Sequence, residues 1–148
     1  MDLEMLHKAV FVIMFVIFVI SNYVIVYKFI QISKIKKEIN RSSEKEAYKL
    51  ITKLKDSMWI LDFGITSGPL LGLLGSILAL IESFANLAER GISNPIVISK
   101  SIGFALVATA FGICLALWDL VFYKMLNDMI RNIREEAKLI FAGGNWHV

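Results

Sequence analysis

The sequence predicts an all-α integral membrane protein: three transmembrane helices extended by helices on the cytoplasmic side. Three observations carry that expectation. Of 148 residues, 57% are hydrophobic and the mean hydropathy is +0.65, above the ~45–50% apolar content typical of soluble domains. Three uncharged runs, at 9–27, 63–81 and 101–118, stand out, the last extending past Asp119 to residue 123. At 1.5 Å per residue, nineteen residues reach about 28 Å, close to the hydrocarbon thickness of a bilayer. Finally, thirteen of the sixteen Lys and Arg residues fall at positions 28–59 and 124–148. In a three-span topology these segments share one side, which the positive-inside rule makes the cytoplasm. The N-terminus and the loop at 82–100 then face outward. The length fits a single membrane domain over 1–148.

Taken in order, the first span at 9–27 is rich in Val, Ile and Phe on every face and has no small-residue stripe, as suits a lipid-exposed helix. Asp2 and Glu4 precede it with only Lys8 as a base, and no small-x-small cleavage site follows, so it reads as a retained anchor rather than a signal peptide. The cytoplasmic segment 28–62 continues with Ile32, Ile35 and Ile39 and is interrupted at 40–42. It restarts where Ser43 and Glu46 have capping-box spacing. Ala47, Leu50, Ile51, Leu54 and Met58 then recur at helical intervals.

The second span, 63–81, places Gly64, Gly68, Gly72 and Ser76 four residues apart, hence on one helical face. Each interior Gly costs a soluble helix about 1 kcal/mol relative to Ala. Close approach of another helix within a membrane is the physical reason to keep them. Gly75 and Ala79 add to the small residues, and Ser76 is the only hydroxyl near the middle. The third span, 101–123, carries its own stripe: Ala105, Thr109, Gly112 and Ala116. The tail at 124–142 repeats apolar residues at Leu126, Ile130, Ile133, Ala137 and Ile140, ending at Gly143-Gly144.

Several function classes are disfavoured. No Ser-His-Asp set, phosphate-cradling loop or paired carboxylate site is present, so an enzyme is not expected. His7 and His147 lie in terminal arms and form no metal constellation, and no cofactor is implied. The basic residues are mixed with acids and lack an aromatic platform, which argues against nucleic acid. Cys114, alone in an apolar run, reads as a small packing residue. Trp59 and Trp118 suit an interfacial belt. Glu82 reads as a helix-end charge or the outer end of an ion pathway. Asp119 reads as an interfacial residue paired with Lys124, or as the pathway's inner end.

Two motifs resemble one family. The run GPLLGLLGS at 68–76, followed by Ile81-Glu82-Ser83-Phe84, resembles the second span of the MotA/TolQ/ExbB proton channel family, whose pattern is Pro, GLLGT, then a Phe. ALVATAFG at 105–112 resembles its third-span pattern A-L-x-x-T-A-x-G-L. Gly91 and Pro95 stand where that family places a Gly and a Pro in the outer loop. Three departures accompany the match. Ser76 replaces the second-span Thr and keeps the hydroxyl. Phe104 stands where ExbB and TolQ often carry a Glu, so a carboxylate relay is not expected at that depth. Trp118 replaces a Pro, so a proline kink is not expected near the inner surface.

The resemblance implies a short ExbB/TolQ-like subunit of the bacterial inner membrane, assembled as a homopentamer around a pair of ExbD/TolR-like single-span partners, each with a transmembrane Asp. It implies that Ser76 and Thr109 supply hydroxyls to an ion pathway lined also by Gly72, Ala79, Ala105, Gly112 and Ala116, with Glu82 and Asp119 as candidate ends. Hydroxyls do not titrate near neutral pH, so the ionisable group comes from the partner. Proton is the default ion, and a hydroxyl lining is compatible with sodium as well. Two alternatives stay open: a non-conducting membrane scaffold whose small stripes only drive oligomerisation, and an accessory subunit of another transporter.

Overall fold

A computed structural model describes residues 3–38, 43–90 and 95–143, all in four α-helices apart from Ser43 and a turn at Asp56 and Ser57. Helix α1 spans Leu3–Glu38, α2 Glu44–Lys55, α3 Met58–Arg90 and α4 Pro95–Gly143. Three stretches, within α1, α2–α3 and α4, are long and apolar enough to cross a membrane. The expected interruption at 40–42, Ile39, Gly91 and the Gly143-Gly144 pair fall wholly or partly outside the described residues.

Each transmembrane helix continues well past its apolar run. The 49 residues of α4 amount to about 74 Å of helix, more than twice the hydrocarbon thickness. Pro69 lies inside α3. It removes one N–H from the ladder, a loss that membrane helices tolerate where neighbouring groups satisfy the freed carbonyl.

Helix α1 is not uniform around its circumference. Val10, Met14, Ser21, Val24, Ile25, Lys28, Ile32 and Ile35 form a buried seam along it. Val12, Phe15, Val19, Tyr23 and Val26 point outward on the other faces. The seam repeats at three- and four-residue steps, the spacing of side chains that share a helix face. An apolar groove of about 710 Å³ opens beside it, with Phe11, Phe15, Phe18, Phe111, Cys114 and Trp118 on its walls. Cys114 is thus exposed on this groove rather than packed inside the bundle. Its register on α4, one residue before buried Leu115, turns it outward.

Two apolar clusters hold the helices together. The smaller one joins Val10 and Met14 of α1 to Leu78 of α3 and Leu115 of α4. The larger one lies at the other end of the bundle, where Ile32 and Ile35, Ala47, Ile51 and Leu54, Leu61, and Leu126, Ile130, Ile133 and Ala137 converge. The stripes expected in the cytoplasmic segments are therefore the ones that pack. Ile140 is the exception at 47% exposed, and Phe141 packs against the cluster in its place.

Local chemistry sets the corners. The Ser43 N–H donates to the Glu46 carboxylate at 3.2 Å, and the box this closes starts α2. At the other end of α2, the buried Lys28 Nζ donates to the Leu54 carbonyl at 2.8 Å and to Gln31 Oε1 at 3.4 Å. The last carbonyls of a helix lack intrahelical partners and attract cations. Lys28 therefore ties the end of α2 to α1. Ser57 follows with φ 66°, a left-handed kink between α2 and α3, which both run antiparallel to α1.

Candidate ion-pathway site

The small residues of α3 and α4 meet face to face. A Cβ on Gly68 would lie 2.8 Å from the Gly112 carbonyl oxygen and 3.3 Å from Ala116 Cβ. One on Gly72 would lie 3.0 Å from the Ala108 carbonyl and 3.1 Å from Thr109 Cα. These are backbone contacts, which have little freedom to yield. The glycine stripe of the sequence is thus the surface on which α3 packs against α4.

Ser76 continues that stripe by one turn. Its Oγ donates within reach of two carbonyls, Ala105 at 2.6 Å and Gly72 at 3.1 Å, and it makes a short hydrogen bond with Thr109 Oγ1. Each hydroxyl has one proton and two lone pairs. If Ser76 donates to Ala105, Thr109 donates to Ser76, and both protons are engaged within the chain. The two hydroxyls that the motifs single out, 33 residues apart in sequence, are brought into direct contact.

The remaining sequence-predicted residues divide into two groups. Gly72, Ala105, Gly112 and Ala116 are buried between α3 and α4, whereas Ser76, Ala79 and Thr109 are half-buried at the edge of that interface. From Ala79 outward, a polar cleft of about 320 Å³ opens between the helices, bordered by Lys8, Glu82, Ser83, Asn86 and Ser101, with Phe104 on its wall. Glu82 is half-buried there. It lies six residues beyond Ser76, about 9 Å along α3 and about 120° around the helix from it.

Asp119 has another setting. It is fully buried, its Oδ2 accepts from Ser21 Oγ of α1 at 2.8 Å, and its Oδ1 has no partner among the described residues. The expected pairing with Lys124 does not occur, because Lys124 is exposed and points away from the seam. Gly64 faces the same carboxyl: its Cβ would collide with Asp119 and come within 3.2 Å of Ser21 Oγ. The stripe beginning at Gly64 therefore serves two neighbours, Asp119 and Ser21 at Gly64 and α4 alone from Gly68 onward. Ser21, Lys28 and Ser67, another buried hydroxyl without a partner, were missed by sequence reasoning. The signal available for the first two was the seven-residue step Met14, Ser21, Lys28, which places two polar residues on an otherwise apolar seam.

Among the described residues, no group of three His, Cys, Asp or Glu side chains could hold a metal ion.

Comparison with known proteins agrees with the two motifs. The Biopolymer transport protein ExbB of Aquifex aeolicus (strain VF5) is 31% identical over 100 residues, a match covering 65% of this chain and 66% of that protein, just under two thirds of its length. A sequence model described as the MotA/TolQ/ExbB proton channel family matches residues 21–138, which include all of α3 and the Ser76–Thr109 contact, and the chain belongs to this family.

Proposed function

We propose that this chain is the ion-channel subunit of an energy-transducing motor driven by the proton-motive force in a bacterial inner membrane. Five copies surround a pair of ExbD/TolR-like single-span partners, and the complex performs work in the periplasm or at the outer membrane. The N-terminus faces out and the C-terminus lies in the cytoplasm, as the distribution of basic residues favours. The observation that carries the reading is the Ser76–Thr109 hydroxyl contact, set inside a glycine-packed pair of membrane helices in a member of a proton channel family.

The donor count gives the pair a specific chemistry. With its protons engaged on Ala105 and on each other, the pair presents lone pairs. These accept from a protonated carboxylic acid. To solvate an ionised carboxylate, one hydroxyl must turn from its internal acceptor and donate outward. A partner Asp passing the pair therefore meets different hydrogen-bonding demands in its two protonation states. An ionised carboxylate at mid-membrane without such donors costs several kcal/mol. Gly72, Ala105, Gly112 and Ala116 hold α3 and α4 close enough for the pair to form, and the cleft beside Ala79 and Glu82 is the outer approach.

Co-expression with the product of the adjacent gene, followed by native mass determination, tests the assembly. Five copies of this chain with two single-span partners are expected. A monomer or dimer without a central partner overturns the proposal. If the complex assembles but Ser76→Ala with Thr109→Ala leaves partner-driven work intact, the chain is a scaffold instead.

A further inference from the structure

Asp119 occupies a layer that the hydroxyl pathway does not use. The smaller apolar cluster, with Met14, Leu78 and Leu115, lies on one side of it, and the larger one, with Val24, Leu61 and Leu126, lies on the other. Between them, α1 contributes Ser21, α3 contributes Gly64 and α4 contributes Asp119. Along α4, Asp119 lies ten residues from Thr109, about 15 Å, in the seam that α1 covers. The Ser76–Thr109 contact lies between α3 and α4.

Among the described residues, the charges around this layer leave the carboxyl without a counter-ion. On α1, Lys28 lies two turns away with its Nζ on the Leu54 carbonyl, and Tyr23 and Tyr27 are exposed. On α3, Asp62 is exposed; on α4, Lys124 is exposed and Tyr123 is half-buried; Asp56, beyond the end of α2, is also exposed. The carboxyl has one hydrogen bond, from Ser21, and its Oδ1 is buried without a partner. A buried carboxylate with neither a cation nor a full set of donors is among the most costly groups in an apolar medium, and binding a proton removes that cost. Ser67, one turn from Gly64 on α3, is a second buried polar atom without a partner among the described residues and is not bonded to the carboxyl.

We propose that Asp119 is a proton-binding site within the subunit itself, holding its proton on Oδ1 while Oδ2 accepts from Ser21, in a pocket that exists because position 64 is glycine. The proton keeps the layer neutral and lets α1 close over α3 and α4. Its loss leaves a bare charge in a dry seam, which is relieved only when water enters or α1 moves. The site is independent of the partner and of the reading given to Ser76 and Thr109.

Infrared difference spectroscopy of the full chain in lipid nanodiscs, without any partner, tests it as pH is stepped from mildly acidic to mildly alkaline. The expected result is a protonated-carboxyl C=O band that Asp119→Asn abolishes. Ser21→Ala should shift the band to higher frequency by removing the hydrogen bond to Oδ2, and exchange of sodium for potassium should leave it unchanged. Absence of any band sensitive to Asp119→Asn overturns the proposal. So does a band unmoved by Ser21→Ala, and so does one that sodium abolishes, which assigns the site to a metal cation. Should Asp119→Asn fail to assemble, the presence of the band and its shift in Ser21→Ala decide the question.

Discussion

The α3–α4 contact and the seam under α1 lie in one helical bundle and are built on opposite principles. Between α3 and α4, backbone touches backbone at Gly68, Gly72 and Gly112, and the polar groups are hydroxyls bonded to one another and to carbonyls. Under α1, bulky aliphatic side chains fill the space and the polar group is a carboxyl with one donor and one orphaned oxygen. The first arrangement fixes distance, since glycine faces leave no side chain to rearrange. The second sets charge, because its geometry tolerates a carboxyl only in an uncharged or otherwise compensated form. A membrane subunit that must hold two helices in register and also respond to ions has reason to keep these tasks apart.

The difference can be broken most severely at Gly112. Gly112→Val pushes a branched side chain into the backbone at Gly68 and Gly72, where overpacking costs about 1–3 kcal/mol even in cores that relax and more against main chain. The expected outcome is loss of folded protein from membranes, seen as a collapse in monodisperse yield after detergent extraction. Next in size is the double change Ser76→Ala with Thr109→Ala. It should abolish ion-driven work while lowering stability by only about 1 kcal/mol, the scale of membrane side-chain hydrogen bonds, so activity and thermal unfolding should separate.

Lys28→Met sharpens the contrast from the other side. It removes the hydrogen bond to the Leu54 carbonyl and retains the aliphatic stem, for an expected loss of about 1.5–3 kcal/mol, typical of bonds from charged donors. Thermal unfolding should show this loss, together with faster proteolysis at the Asp56–Ser57 turn. The smallest effect is expected at Ser57→Gly. Left-handed backbone costs a non-glycine residue about 1–2 kcal/mol, partly offset by the extra freedom glycine has in the unfolded chain, so a gain below about 1 kcal/mol should appear as a slightly raised midpoint.

Much of this arrangement was legible in the residues because it depends on periodicity. Runs of apolar residues gave the spans, and steps of three and four gave the stripes at Ala47–Met58 and Leu126–Ala137. Steps of four gave the glycine face, and the motifs around Ser76 and Thr109 singled out two hydroxyls that meet. What was illegible depends on how one helix is rotated against another. Ser21 and Asp119 are 98 residues apart, and each looked ordinary alone: a serine in an anchor helix and an acid near a membrane surface. Lys28 entered only the count of basic residues, because composition cannot reveal that a neighbouring helix ends against it. Cys114 reads as a packing residue because an apolar neighbourhood does not reveal that it is exposed on the groove beside α1. The glycine face was legible as a close-packing surface, but not that the two hydroxyls would sit half-buried at its margin.

The unbroken length of α4 has a mechanical consequence. From Thr109 to Ala142 the helix is continuous, about 50 Å at 1.5 Å per residue. Through Leu126, Ile130, Ile133 and Ala137 the far part of this stretch is packed against α1 and α2, and its other end is at the hydroxyl contact. A tilt of about 10° at that point would carry the far end sideways by about 9 Å on this helical rise. Such a tilt would have to carry α1 and α2 with it, so a change at the hydroxyl contact would reach the far end as a movement of the whole larger cluster.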